Sequence, residues 1–339
     1  MEIRPLTTET VEWDAFVRSS THGSPFHLLA WKRVVEAAFR HRPHYLMAVD
    51  PHGVQGVLPL FEVRGLLGGR GLVSVPYGVY GGACAASPEA RAALLEAAAR
   101  LAQERGADYV ELRHRSGQQV DLPTKSLYVT FSRPISADDE ENMAAIPRKQ
   151  RRMIRQGDKF GLRAEFGLQH LDAFYEVYAQ SVGNLGSPVF PKTLFRAIAQ
   201  EFKQECELLT IWREGRLLAG VLTLLYEDQA LPYYGGAVRD AFQFAVNDFM
   251  YWELMRRVAA TGYRVFDFGR SREGTGPYHF KRHWGFEPEP LPYQYILRRG
   301  AIPNMSPSNP KMRLAIAAWR RLPLGVTKAL GPRLTRYLP

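Results

Sequence analysis

The chain has 339 residues, 46% of them apolar and 23% charged, and a net charge of +10. That length holds two domain cores, and the composition excludes a disordered or collagen-like chain; two cysteines, Cys84 and Cys206, exclude a disulfide framework. No stretch reaches the ~18 apolar residues of a membrane span, and MEIRPLTTETVEWDAF shows no apolar run behind basic residues. Neither a signal peptide nor a transmembrane anchor is therefore expected, and the expected compartment is the reducing cytoplasm.

In chain order, a helix over Phe26–Phe39 precedes an apolar hairpin over Gly53–Val63 and the segment PYGVYGGA, Pro76–Ala83. Leu94–Arg113 then reads as a helix that ends at a glycine and passes into an apolar strand. An acidic run, Asp138–Glu141, leads into PRKQRRMIRQGDKFGL, Pro147–Leu162. Its Arg148, Arg151, Arg152 and Arg155 stand at helical spacing and share one face, suited either to a diphosphate or to solvent. A second helix over Pro188–Phe202, a hairpin over Gly215–Asp228, LPYYGGA at Leu231–Ala237 and a helix-strand over Tyr251–Arg270 repeat the first pattern. The repetition predicts two copies of one supersecondary unit. It sets the domains at 1–136 and 137–300, the second with the basic helix, followed by a tail over 301–339.

The second copy is the better equipped for chemistry. Gly262–Pro288, GYRVFDFGRSREGTGPYHFKRHWGFEP, runs from an apolar strand through a Gly-Arg-Ser turn and a Gly-Thr-Gly turn into an aromatic and basic cluster. The first copy ends instead in VELRHRSGQQ. Asp267, Arg270 and Lys281 supply charge at the strand end, and the glycines allow backbone to approach a ligand.

This stretch resembles the signature of the FemAB/FemX group of the GNAT acyltransferase superfamily: Asp267–Ser271, Gly274–Gly276, then Lys281, Trp284, Gly285, Phe286 and Pro288. The basic helix is similar to one such proteins carry between their halves, and the likeness extends from Ser24 to Leu297. It is nearest to the FemAB-related branch that accompanies exosortase and exopolysaccharide clusters. The resemblance implies an α/β (α+β) fold of tandem GNAT-like domains, with mixed sheets flanked by helices. It also implies transfer of an acyl or aminoacyl group to an amine of a cell-envelope, exopolysaccharide or peptidoglycan precursor.

Direct attack by an amine needs a positioned carbonyl, donors for the developing oxyanion and a path for the amine proton, without a covalent enzyme intermediate. The chain has no G-x-S-x-G, and neither cysteine has a nucleophile's setting. Asp267, Lys281 and Tyr234 are the candidate catalytic residues, Asp267 standing equally as a turn cap. Arg270, Ser271, Thr275, Tyr278 and Trp284 are candidates for the substrate, joined by Trp31 and Tyr80 of the first copy; Trp31 and Tyr80 read equally as packing aromatics, and Trp284, beside Gly285 and Phe286, reads more readily as a core anchor. Arg148, Arg151, Arg155, Gly235, Gly236 and Asn247 are candidates for the donor.

GGAVRDAFQFAVNDFMYW lacks the spaced glycines with which ordinary GNAT enzymes hold acyl-CoA, which favours aminoacyl-tRNA without excluding acyl-CoA. No cofactor is expected to be bound permanently, and the scattered histidines show no metal-ligand spacing. A monomer or weak dimer is expected. A non-catalytic protein that holds glycan or lipid-linked precursors is the alternative. Residues 290–339 carry nine Arg or Lys and no Asp or Glu. On a helix, Met312, Ile316, Trp319 and Leu322 face away from Arg313 and Arg320, a pattern that suits either an anionic membrane surface or packing on the protein; nucleic acid is a third reading.

Overall fold

A computed structural model describes residues 1–65, 69–115, 117, 120–303 and 310–338; in the last stretch, side chains are described from residue 315 on. The elements run β1 (Glu2–Pro5), α1 (Val11–Ser19), α2 (Leu29–Phe39), β2 (Arg42–Pro43), β3 (Leu46–Asp50), β4 (Gly53–Leu58), β5 (Leu60–Arg64), β6 (Arg70–Ser74), β7 (Cys84–Ala85), α3 (Pro88–Glu104) and β8 (Tyr109–Arg113). They continue with β9 (Thr124–Thr130), β10 (Ser132–Pro134), α4 (Asp139–Ala144), α5 (Arg148–Lys159), β11 (Arg163–Phe166), α6 (Leu171–Leu185), α7 (Lys192–Phe202), β12 (Cys206–Arg213), β13 (Arg216–Tyr226), β14 (Gln229–Ala237) and α8 (Val246–Ala260). The last are β15 (Val265–Asp267), β16 (Ser271–Arg272), α9 (Gly276–His283), β17 (Glu289–Leu297), α10 (Pro310–Trp319) and α11 (Leu324–Thr335).

The chain forms two compact units: Met1–Tyr128 with Pro290–Asn304 and Arg333–Pro339, and Val129–Glu289 with Met305–Pro332. In the first, β1, β3, β4 and β7 make one sheet, and β17, β8, β6, β5 and β2 are neighbours in a second. Strand β8 lies parallel to β6, and β17 pairs antiparallel with β8 from Tyr293↔Arg113 to Leu297↔Tyr109. A strand that follows the second copy in sequence thus completes the sheet of the first. Hydrophobic pattern marks a strand but not the edge that receives it, so a boundary at 136 could not anticipate this interleaving. Helix α3 begins cleanly, with Ser87 accepting from the Ala90 amide and Pro88 opening the first turn. Its Leu94 and Ala98 pack with Leu58, Leu72, Val110 and Leu112 in the core.

The second unit carries a six-stranded sheet in the order β10-β15-β14-β13-β12-β11. Strands β12, β13 and β14 are joined antiparallel, and β14 connects through α8 to a parallel β15. The parallel pairing covers only Gln229↔Val265 and Ala230↔Phe266. Beyond it β14 runs on to Ala237 with no pairing to β15, so the sheet opens where the two strands part. A Cβ on Gly236 would sit 2.9 Å from Ser181 of α6, whereas one on Gly235 would sit 3.4 Å from the Tyr251 hydroxyl of α8. Successive strand residues face opposite sides, so α6 and α8 cover opposite faces of the sheet at its opening. Only a residue without a side chain lets α6 lie that close at Gly236.

Candidate functional site

The opening of the second unit's sheet holds a cavity of about 880 Å³. Gly235, Gly236 and Ala237 of β14 form one wall, and Asn247, Met250 and Tyr251 of α8 another. Phe268 lies beneath, Phe280 and Lys281 come from α9, and Ser181, Asn184 and Leu185 from the end of α6. Gly276 and Pro277 at the start of α9, with Arg239, Phe242 and Arg320, complete the lining. Leu185 is 60% exposed and Phe242 53%, so the cavity has an apolar rim with two guanidinium groups beside it. Burial raises the Tyr251 phenol to about 12, so it stays a neutral hydrogen-bond donor at physiological pH.

The floor is built by two charges acting on one turn. Asp267, fully buried, accepts from the Gly269 amide at 2.7 Å and from the Thr130 hydroxyl at 3.4 Å. From the other side Lys281 Nζ donates to the carbonyls of Phe268, Gly269 and Arg270 at 2.7, 2.9 and 3.3 Å. Three carbonyls match the three N–H of an ammonium group. Burial nevertheless pushes Lys281 down to about 7, against the attraction of Asp267 and with the repulsion of Arg270. Asp267 thus holds the amide side of the turn and Lys281 its carbonyl side, and together they fix Phe268 under the cavity.

Four of the candidate site residues, Gly235, Gly236, Asn247 and Lys281, meet at this cavity, together with Gly276 of the Gly-Thr-Gly turn. Asp267 lies under its floor and outside its lining. Tyr234 points away from it, into rings of Tyr178, Phe190 and Phe195 at 6.3, 5.9 and 5.3 Å, as strand alternation requires of a neighbour of Gly235. Trp284 is fully buried; its indole N–H donates to Asp248 Oδ1 at 2.9 Å, and its ring meets those of Phe268 and Phe280 at 6.0 and 5.9 Å. It belongs to the core behind the site, and its placement there leaves no face for a substrate.

Arg270, Ser271, Thr275 and Tyr278 stand outside the lining as well. Ser271 is buried, Thr275 turns its hydroxyl to the Arg272 carbonyl at 2.7 Å, and Tyr278 packs edge-on against Phe131. In the first unit, Trp31 is fully buried and donates to the Pro76 carbonyl, while Tyr80 is buried beneath the Arg115 guanidinium at 4.0 Å. Helix α5 buries Gln150, Ile154 and Gly157, with Gly157 against Phe249 of α8, and leaves Arg148, Arg152 and Arg155 exposed and Arg151 half-buried. None of its arginines lines the cavity.

Sequence reasoning missed Ser181, Asn184, Met250, Tyr251, Phe242, Arg239 and Arg320. A signal existed for two of them: Met250 and Tyr251 follow Asn247 by three and four positions and so share its helix face. Arg320 arrives from the tail, where it donates to the Leu185 carbonyl at 3.2 and 3.1 Å. The tail also docks through Lys328 on Glu176 at 2.6 Å and through Gly331 against the Val189 backbone. The side chains of Met312 and Arg313 lie outside the described residues, and so does Asn304. Among the described residues no group of His, Cys, Asp and Glu has the arrangement of a metal site, and no helix is long and apolar enough to cross a membrane.

The acetyltransferase (GNAT) domain family matches residues 142–282, which contain every wall of the cavity except Arg320. No curated protein is matched by the sequence. Among solved structures, FemX is similar with a TM-score of 0.68 at 17% identity, over 88% of this chain and 98% of its own. The C-terminal domain of a putative lysylphosphatidylglycerol synthetase from Agrobacterium fabrum has a TM-score of 0.57 at 12% identity, over 91% and 93%. A tandem GNAT protein from the clavulanic acid biosynthesis pathway has a TM-score of 0.54 at 12% identity, over 89% and 99%. Those identities establish the fold, and the family match covers the unit that holds the cavity. Residues 142–282 match the acetyltransferase (GNAT) domain family, and the fold of the chain is like that of FemX.

Proposed function

We propose that the protein is an N-acyltransferase whose acyl group enters the cavity where β14 and β15 part. The single observation that carries this reading is the parting of β14 from β15 after Ala230, over a cavity of about 880 Å³ walled by Gly235, Gly236 and Ala237. Where two strands part, the glycines of the wall let a ligand approach the main chain, and the volume is that of a site for a cofactor-sized group. Amides of this wall and the Tyr251 hydroxyl are the groups placed to hold the acyl oxygen as it gains charge. Lys281 adds a positive field through the floor while its own N–H groups brace the Phe268–Arg270 turn. The attacking amine needs no enzyme nucleophile: its nitrogen forms the amide C–N bond as the donor's thioester C–S or ester C–O bond breaks, and the proton it loses ends on the departing CoA thiol or tRNA hydroxyl.

The donor is acyl-CoA or aminoacyl-tRNA, whose phosphates Arg239 and Arg320 are placed to meet at the rim. The acceptor is an amine on a cell-envelope, exopolysaccharide or peptidoglycan precursor, by the resemblance to the FemAB/FemX group. Its synthesis at the cytoplasmic face of the membrane agrees with the basic tail, where Leu324 and Leu330 are exposed beside Arg321 and Arg333. Mass spectrometry of a precursor amine incubated with each donor tests the reading. Amide formation with one donor and not the other supports it and names the donor. Absence of product with both, alongside tight binding of the precursor, supports a binding protein on the same fold.

A further inference from the structure

In the first unit, far along the sequence from the acyl site, the end of α2, strands β2 and β5 and the last turn of the tail enclose a second cavity of about 450 Å³. Its lining holds four arginines, Arg40, Arg42, Arg64 and Arg336, and one acid, Glu62. Several features fix this convergence. Arg42 stands directly opposite Glu62 in the β2–β5 pairing, and Arg64 follows Glu62 by two positions, so all three share a face. Arg40 caps α2 in the left-handed conformation, at φ 56°, which turns the chain sharply before β2.

The tail is tied in from the other side. The Arg336 guanidinium donates to the Arg40 carbonyl at 3.4 Å, and the Tyr77 hydroxyl donates to the Thr335 carbonyl at 3.1 Å. With that hydroxyl proton committed, His41 Nε2 at 2.8 Å is the donor to Tyr77, so the imidazole is held neutral in that tautomer. Burial, and then Arg336, pushes His41 down to about 4; burial, then Arg105 and Arg42, lowers His44 beside Glu62. Both histidines therefore add no charge, and four cations face one carboxylate. Like charges gathered in a concave site repel one another, and an anion with several oxygens relieves that cost.

We propose that this cavity binds a diphosphate group, gripped by the Arg42 and Arg64 guanidinium forks, with Arg40 and Arg336 closing on it and Tyr337 at its edge. Four guanidinium groups exceed what a single phosphate can engage bidentately, and a diphosphate offers the further oxygens. The site is independent of the acyltransfer reading, since none of its residues lines the other cavity.

Calorimetric titration of the full chain with inorganic pyrophosphate tests this without turnover. Saturable binding at one site, tighter than orthophosphate, is expected, with Kd rising at least tenfold in Arg42→Gln/Arg64→Gln, whose positions are exposed. Arg148→Gln/Arg155→Gln on α5 should leave the Kd unchanged. No saturable binding, or an equal Kd in the Arg42/Arg64 variant, or a loss caused by the α5 pair instead, overturns the proposal. Vesicles containing a lipid diphosphate that pyrophosphate displaces would identify a lipid headgroup as the source. Pyrophosphate binding without such displacement would identify a soluble diphosphate.

Discussion

Replacing Trp284 by alanine separates a core role from a substrate role. The side chain is fully buried, makes edge contacts with Phe268 and Tyr251 and donates its only N–H to Asp248. Truncating a buried Trp costs about 3–5 kcal/mol through lost transfer energy and the cavity left behind. Taking one donor from the Asp248 carboxyl, which keeps its hydrogen bond to Gln150 and whose pKa burial already raises, adds about 1 kcal/mol. The two overlap, and a loss of about 5 kcal/mol corresponds to a fall of roughly 10–20 °C in Tm for a domain of this class. Trp284→Phe keeps most of the ring and loses the donor, so about a third of that shift is expected. Differential scanning calorimetry with parallel donor titration is the assay. An unchanged Tm in Trp284→Ala together with abolished donor binding would refute the core assignment and return Trp284 to the substrate.

Gly235→Ala should leave the unfolding free energy within about 1 kcal/mol of wild type, since its Cβ meets only ordinary contacts, yet weaken donor binding; Gly236→Ala should lower Tm because its Cβ presses on α6. Equal thermal shifts for the two would contradict the opposite facing of these residues. Because burial lowers Lys281 to about 7 in the folded state and the unfolded value is about 10.4, the unfolded chain binds more protons between those limits. That term makes unfolding free energy rise with pH across the window, and Lys281→Met should flatten it; a difference profile with no slope there would show that the side chain is not depressed. Leu324→Ser/Leu330→Ser should reduce sedimentation with anionic vesicles at unchanged Tm, whereas removing residues 305–339 should also lower Tm, because Arg320, Lys328 and Gly331 dock on α6 and Val189. Vesicle binding indifferent to both changes would place any membrane contact elsewhere.

The order of the second copy was legible because β13 and β14 form an apolar hairpin that ends in Tyr-Gly-Gly before a helix closed by glycine; in the first copy Gly53–Val63 is not the expected hairpin, since β4 pairs with β3 in one sheet and β5 with β6 in another, a split that the apolar pattern does not show. The second copy's glycines could be placed at the site for the same reason, since Gly235 and Gly236 end an apolar strand. Side-chain direction was less legible. Tyr234, one residue before Gly235, turns to the α6 side of the sheet, and only the register with β13 decides that. The charges of Asp267 and Lys281 signal importance without saying whether they act on a ligand or on a turn. Here both act on one turn, Asp267 at the Gly269 amide and Lys281 at the carbonyls of Phe268, Gly269 and Arg270. Arg320, nearly forty residues past the strand signature, reaches the cavity through a docked tail that hydrophobic pattern alone leaves equally suited to a membrane.

The central claim is that acyl transfer takes place at the opening between β14 and β15. Its most direct measurement is mass-spectrometric detection of amide product with acyl-CoA and with aminoacyl-tRNA, in wild type and in Gly235→Val, whose side chain would fill the wall facing Tyr251. Product with one donor in wild type, reduced at least tenfold in a Gly235→Val protein of normal Tm, is the predicted result. Undiminished product with the wall filled, or none with either donor in wild type, would contradict the account.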